Sequence, residues 1–380
     1  MQDRTLSVLL AGGGTGGHLF PAIAIAAEIK RLRPDTRITF AGTRKKIEAR
    51  IVPQHGYDFS PIWISGFTRR FSVGNLLFPF KVVVALMQSC TLIRKCRPDV
   101  VIGTGGYVAG PVVSMASALG IPTIIQEQNS YPGVTTRLLA SHVDEVHVTF
   151  ETSLQYLSRK DNVRVTGNPT RESVGSISRK EGRLFFHLDG GKKTLLVFGG
   201  SLGAGSINRA ILDCIADLVN EGVQVIWQTG PEDHGALAAG VASGRIATEE
   251  AVRIYSFIEK MEYAYGACDL AVCRSGATTL AELTRGGVPS ILVPYPHAAA
   301  DHQTENARAM VDAGAAVMLT DEEIHTKLAS TVRALMSNDQ LLSRMAERSR
   351  SLARPDAAGD LAKAVLALAE KRNGGRGTGI

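Results

Sequence analysis

The chain is poor in cysteine and has none in a chelating or redox spacing. Five are present in 380 residues (Cys90, Cys96, Cys214, Cys268 and Cys273), with no Cys-x-x-Cys. An odd number, mostly within apolar stretches, excludes a disulfide scaffold and offers no zinc site; free buried thiols in a reducing cytosol are expected. Aromatic residues make up only 6% and no long Lys/Arg run occurs, which argues against a dedicated nucleic-acid binder. Within the apolar region that ends at Pro98, the longest uncharged run, Val82 to Ile93, has twelve residues, short of the roughly 20 that cross a bilayer. The first residues lack a basic segment followed by a cleavage site, so no secretory signal is expected. A formal charge of +6 suits anionic ligands or an anionic membrane surface.

With 44% hydrophobic and 21% charged residues, the chain can bury real cores, and its length fits two domains of roughly 150 residues each. Short β-branched runs alternate with helical patterns: Leu6–Ala11, Arg37–Ala41, Val100–Gly103, Thr123–Gln126, Glu145–Val148 and Val163–Thr166. A second series follows at Thr194–Phe198, Val223–Gln228, Val252–Ser256, Leu270–Cys273, Ser290–Val293 and Ala316–Leu319. This alternation predicts α/β architecture: two Rossmann-like, doubly wound parallel-sheet domains. The expected divisions are 1–168, a linker at 169–192 rich in Ser, Gly, Arg and Lys, a second domain at 193–354, a helix within 355–372 packing back on the first domain, and a mobile tail at 373–380.

Three glycine clusters end predicted strands: Gly12-Gly13-Gly14-Thr15-Gly16-Gly17, Gly103-Thr104-Gly105-Gly106 and Gly199-Gly200-Ser201-Leu202-Gly203. Glycine lets bare backbone N–H groups approach a phosphate at a helix N-terminus, and ligands of open α/β sheets lie beyond the strands' carboxyl ends. Gly12, Gly14 and Gly17 satisfy Gly-x-Gly-x-x-Gly, but the second strand ends in Gly42-Thr43-Arg44-Lys45-Lys46 without the acidic residue that holds a dinucleotide ribose. No Gly-Lys-Ser/Thr triphosphate loop is present, nor any Asp-x-Asp pair to hold a divalent cation on a nucleotide sugar. Neither a cofactor nor a metal is expected; backbone dipoles and basic side chains would neutralise the bound anion.

The set Gly13–Ala22, Gly103–Pro111, Gln126-Glu127-Gln128-Asn129, Gly167–Arg171, Gly199–Ala204, Cys273–Glu282 and Pro294–Asn306 resembles the bacterial glycosyltransferases that add N-acetylglucosamine to the lipid-linked muramyl-pentapeptide of peptidoglycan. The likeness runs from about residue 6 to 370. It implies a metal-independent, inverting transferase with two Rossmann-like domains facing a cleft. UDP-N-acetylglucosamine would be the donor and undecaprenyl-diphosphate-linked N-acetylmuramoyl-pentapeptide the acceptor, with lipid I becoming lipid II.

Mapped by resemblance, Thr15, Gly16, Gly17, Asn129, Arg171, Ser201, Ile258, Ala277, Thr278, Thr279, Leu280, Ala281, Glu282 and Gln303 bind the donor. Within that set Glu282 would hold the ribose hydroxyls, Gln303 the sugar hydroxyls, and Ile258 the uracil edge through its backbone. Gly14, Thr15, Gly16, Gly17, His18, Gly105, Gly106 and Tyr107 would cradle the acceptor diphosphate. His18, just past the first glycine loop, is the candidate general base because an imidazole with its ordinary pKa near 6.5 accepts a proton at neutral pH. Glu127 is the rival base, and the other reading of His18 is that it hydrogen-bonds a sugar or phosphate or simply caps the loop.

The stretch Phe59 to Pro98 contains no Asp or Glu. Phe67, Arg69, Arg70, Phe71, Leu76, Leu77, Phe78, Phe80 and Lys81 form a candidate membrane patch there, in which apolar side chains dip into a leaflet and cations meet anionic head groups. Peripheral attachment to the cytoplasmic face of the bacterial inner membrane is expected. A nucleotide-sugar 2-epimerase of the same architecture and a non-catalytic nucleotide-sugar-binding protein are the alternatives.

Overall fold

The computed structural model describes residues 5–65, 78–246, 250–298 and 301–376. The chain divides into two compact units, Met1–Thr170 with Arg354–Ile380, and Arg171–Ala353.

In the first unit the order is β1 (Ser7–Gly12), α1 (Gly16–Leu32), β2 (Arg37–Gly42), α2 (Glu48–Gln54), β3 (Asp58–Pro61), α3 (Phe78–Cys96), β4 (Val100–Gly105), α4 (Gly106–Ala118), β5 (Thr123–Glu127), α5 (Val134–Leu139), β6 (Glu145–Val148) and β7 (Val163–Val165). The seven strands are parallel, in the order β3-β2-β1-β4-β5-β6-β7. A parallel strand covered on both faces needs a near-continuous apolar run. In β1, Val8 and Leu10 pack with Leu19, Ile25 and Ile29 of α1, while Leu9 and Ala11 pack with Val108 and Val112 of α4. Strand β3 was absent from the expected set. It is a four-residue edge strand ending in Pro61, a residue that an edge tolerates because one side of the ladder is open.

The second unit runs α6 (Arg179–Phe185), β8 (Thr194–Phe198), α7 (Gly205–Leu212), α8 (Ile215–Asn220), β9 (Gln224–Gln228), α9 (Pro231–Ala242), β10 (Val252–Tyr255), α10 (Met261–Ala267), β11 (Leu270–Cys273), α11 (Ala277–Gly286), β12 (Ser290–Leu292), α12 (His302–Asp312), β13 (Ala316–Met318), α13 (Ile324–Met336) and α14 (Asp339–Ser351). Its six parallel strands are ordered β10-β9-β8-β11-β12-β13.

Two expected divisions need correction. Residues 171–192, read as linker, belong to the second unit. Ser178 and Glu181 form a reciprocal capping box that starts α6, and Gly182 lets that helix approach α10 so closely that a Cβ would lie 2.6 Å from the Ala267 nitrogen. The last helix, α15 (Ala357–Arg376), passes the expected start of the tail at 373; glycine lowers helix propensity by about 1 kcal/mol per residue without forbidding the helix. Residues 377–380 of the expected tail lie outside the described residues.

In each sheet the strand order reverses once. The reversal falls between β1 and β4 in the first unit and between β8 and β11 in the second. Such a switch point is where an open α/β sheet binds its ligand.

Candidate active site

The glycine loops lie at these switch points. The first follows β1 and the second follows β4, and they touch: a Cβ on Gly106, which has φ +77°, would sit 2.3 Å from the Gly13 carbonyl oxygen. Both lead into helices whose N-terminal N–H groups lack a side-chain cap, with Thr15 before α1 and Gly105 before α4. Such open N–H groups at the positive end of a helix favour an anion.

One expected ligand is already engaged. The Gly14 N–H donates to Glu48 Oε2 at 3.0 Å, while the Thr43 N–H and hydroxyl donate to Glu48 Oε1 at 2.9 and 2.7 Å. Glu48 is fully buried and buttresses the loop, so the Gly14 N–H is not open to the expected acceptor diphosphate. Sequence reasoning missed Glu48 because it starts α2 instead of ending β2.

His18 is half-buried, and its Nδ1 lies 2.9 Å from Gln128 Oε1. Its carbonyl accepts from the Thr104 hydroxyl at 2.8 Å. Tyr107 is 54% exposed at the head of α4. Glu127, the rival base, is buried and its carboxylate is saturated. Oε1 accepts from the Asn129 N–H at 3.1 Å and from its side-chain amide at 3.3 Å, and Oε2 accepts from the Gly133 N–H at 2.9 Å and the Thr136 hydroxyl at 2.6 Å. These bonds tie β5 to the start of α5 and orient Asn129. With both oxygens so engaged, Glu127 has no lone pair left to meet a substrate hydroxyl, and His18 is the better placed of the two.

The second unit repeats the design. The third glycine loop follows β8 with Ser201 exposed, and it opens α7 through Ala204, which cannot cap; Gly276, also unable to cap, opens α11 after β11. Ala277, Thr278, Thr279, Leu280 and Ala281 form the first turn of α11, where the Ala277 and Leu280 side chains are buried. What Ala277 and Leu280 can offer a ligand is therefore their backbone, while Thr278 and Thr279 are only half-buried. Arg274 is locked by Asp321, the Val293 and Pro294 carbonyls and the Ser206 hydroxyl, so this guanidinium is not open to an anion.

One turn along α11, the Glu282 side chain is only 12% exposed. Arg171 Nη2 donates to its Oε1 at 3.3 Å and the Tyr265 hydroxyl donates to its Oε2 at 2.9 Å. Burial raises the Glu282 carboxyl above its ordinary pKa, against the pull of Arg171. Burial, reinforced by the charge of Glu282, pushes the Tyr265 phenol well up. Each carboxylate oxygen has two lone pairs, so one on each side remains for a hydroxyl donor. Tyr265 carried no signal in the sequence.

Gln303 stands in the first turn of α12, and its Oε1 accepts the Tyr295 N–H at 3.0 Å. That bond occupies the amide oxygen and leaves the NH2 as the group that can donate. The expected use of Ile258 is narrowed: its side chain is buried and its N–H donates to Gln228 Oε1 at 2.8 Å. This leaves only the carbonyl as a candidate for reading a base. Among the described residues no group of three His, Cys, Asp or Glu side chains gathers to hold a metal.

Of the membrane patch, Phe67, Arg69, Arg70, Phe71, Leu76 and Leu77 lie outside the described residues. Phe78, Phe80 and Lys81 begin α3. Phe80 is exposed with Val83 and Met87, spaced for one helix face, and Trp63 packs edge-on against Phe80 at 6.2 Å. Lys81 lies 6.0 Å from the Trp63 ring. Trp63, Val83 and Met87 were not among the expected patch residues. No described helix is long and apolar enough to cross a membrane.

Comparison with known proteins adds a second line. Residues 8–148 match the glycosyltransferase family 28 N-terminal domain and residues 194–361 its C-terminal domain. A UDP-N-acetylglucosamine–N-acetylmuramyl-(pentapeptide) pyrophosphoryl-undecaprenol N-acetylglucosamine transferase of Salinibacter ruber is 44% identical over 98% of this chain and 99% of its own. The enzyme of the same name from Chlorobaculum tepidum is 46% identical over 96% and 100%. Among solved structures, MurG of Acinetobacter baumannii superposes with a TM-score of 0.73 at 28% identity, covering 95% of this chain and 99% of that one.

Proposed function

The chain belongs to glycosyltransferase family 28, and from that premise we propose how its residues carry out the transfer. It is a hexosyltransferase that moves N-acetylglucosamine from UDP-N-acetylglucosamine to undecaprenyl-pyrophosphoryl N-acetylmuramyl-pentapeptide, the step from lipid I to lipid II. This membership favours transfer over the 2-epimerase and binding-protein alternatives.

In the proposed single displacement, the acceptor C4 hydroxyl attacks the anomeric carbon of the donor. His18 Nε2 takes the hydroxyl proton as the new C–O bond forms, and the bond from the anomeric carbon to the UDP oxygen breaks with its electron pair. The configuration inverts to a β-1,4 linkage. The growing charge on UDP is what an open helix N-terminus stabilises. We assign that role to Ala277–Ala281 with Ser201 and Arg171. Glu282 takes the ribose hydroxyls and Gln303 a sugar hydroxyl, while Ile258 retains its carbonyl for the uracil. Asn129 and the head of α1, from Thr15 to Gly17, face the transferred sugar and the acceptor pyrophosphate, with Gly105, Gly106 and Tyr107 completing the acceptor cradle.

The observation that carries this reading is that α1, α4, α7 and α11 all start at switch-point loops without a side-chain cap. Other helices, among them those starting at Glu48, Pro231 and His302, also lack a side-chain cap, so it is the position at the switch points that sets these four apart. Radiolabelled UDP-N-acetylglucosamine, offered with a lipid-diphosphate muramyl acceptor in EDTA, is expected to label the lipid; no transfer to a competent acceptor overturns the mechanism. His18→Ala is expected to lower kcat by about 10²–10⁴-fold, and an undiminished kcat removes His18 as the base.

We further assign the protein to the cytoplasmic face of the bacterial inner membrane as a peripheral enzyme. Support comes from the exposed Phe80, Val83 and Met87 face beside Lys81 and from an acceptor whose lipid tail stays in the bilayer.

A further inference from the structure

We propose that Gln128 is a positioning residue that sets the tautomer of His18, holding the proton on Nδ1 and leaving the lone pair on Nε2. The inference rests on the reading of His18 as proton acceptor and explains how the ring is prepared for it.

Gln128 is 3% exposed, one residue beyond β5. Its amide orientation follows from its surroundings. Nε2 lies 2.7 Å from the Thr104 carbonyl oxygen and 3.2 Å from the Gln126 carbonyl oxygen, and it also meets Gln126 Oε1. All three are acceptors, so the nitrogen of the amide must face them and the oxygen must face His18. That oxygen, 2.9 Å from Nδ1, can only accept. The proton of the neutral imidazole therefore sits on Nδ1, and Nε2, which has no hydrogen-bond partner among the described residues, carries the lone pair.

The ring is also held in place. A Cβ on Gly105 would sit 2.6 Å from Nδ1, so only glycine leaves room for the imidazole. The titratable groups on neighbouring elements are Glu48, Glu127 and Tyr107. Glu48 bonds Gly14 and Thr43, and Glu127 bonds Asn129, Gly133 and Thr136. None of the three bonds the His18 ring, so the neutral amide alone selects its tautomer.

The test uses the full chain labelled with 15N-histidine. Long-range 1H–15N correlation at neutral pH, with His18 assigned by the signal missing from His18→Ala, is expected to report Nδ1–H. In Gln128→Met the ring is expected to revert to the Nε2–H form common in free imidazole side chains, and kcat to fall about tenfold or more with donor KM within about twofold. Gln128→Glu keeps an acceptor opposite Nδ1. It is expected to retain the Nδ1–H tautomer and to move the acid limb of kcat upward by about one pH unit, because a carboxylate favours the imidazolium.

An Nε2–H wild-type ring overturns the proposal, as does a Gln128→Met protein that keeps both tautomer and kcat. If Gln128→Met does not fold, the acid limb of Gln128→Glu decides, and an unmoved limb counts against the proposal. Full activity in His18→Ala would instead remove the proton-acceptor role while leaving the measured tautomer, and its dependence on Gln128, intact.

Discussion

Glu282 shows what a single buried carboxylate is asked to do. Its two oxygens are oriented by Arg171 and Tyr265, and we read the remaining lone pairs as acceptors for the donor ribose. Charge-assisted hydrogen bonds contribute about 1.5–3 kcal/mol each, so Glu282→Ala is expected to raise donor KM by about ten- to a hundredfold in steady-state kinetics, with kcat less affected; an unchanged KM rejects the assignment. The pH dependence has a definite sign. Burial raises the Glu282 pKa, so as pH falls the carboxylate protonates before an exposed Glu would, and the charged acceptor is lost. Donor KM is expected to rise on acidification through that elevated pKa in the wild type and to lose this limb in Glu282→Gln. Tyr265→Phe removes one orienting bond and leaves the charge, so its KM effect should be smaller, about severalfold, and separable by the same titration. His18 and Glu282 were legible because glycine-bracketed motifs carry them. Glu48, Gln128 and Tyr265 act through partners 34, 110 and 17 residues away, and a polar residue whose role is a long-range contact has no local periodicity to reveal it.

At the scale of elements, the strands beside the switch points were readable because sheets covered on both faces demand apolar runs, and glycines mark where those runs end. The edge strand β3 offered no such run. The helix Arg179–Phe185 was hidden by a Ser- and Lys-rich neighbourhood, although Ser178 and Glu181 spell its capping box. Helix α3 presents two faces with different fates: Ala85, Ser89, Leu92 and Ile93 are buried, whereas Phe80, Val83 and Met87 are exposed. Apolar side chains left on one helix face beside Lys81 suit insertion among head groups, where each nearby cation adds about 1 kcal/mol. A Phe80→Glu, Met87→Glu double variant is therefore expected to lose about tenfold or more in cosedimentation with vesicles containing anionic phospholipid, while donor KM measured with a soluble acceptor analogue stays unchanged. Unaltered sedimentation would show that this face does not dock.

Across the whole molecule, the chain leaves its first unit at Thr170 and rejoins it from Arg354, so that unit is complete only when the last helix has been made. In α15, Leu361, Ala362, Val365, Leu368 and Ala369 recur on one helical face. All five are buried with Val8, Leu10, Ile25 and Ile29 in one core cluster. Arg372 adds a bond to the Pro98 carbonyl at 2.8 Å, just ahead of β4. Burying each Leu or Val side chain contributes about 1.5–3 kcal/mol, so the two leucines and the valine together account for roughly 5–9 kcal/mol, the scale of a whole domain's stability. The second unit has its own core, built from β8, β9 and β11 with α13 and α14, and contains none of these residues. A chain ending at Ala353 is therefore expected to lose hydrogen-exchange protection throughout β1 and β4 while β8 and β11 keep theirs, because unfolding follows the core that lost its wall. Equal protection of β1 and β4 with and without the helix would mean that the first core closes on its own, and that this return of the chain contributes little to its stability.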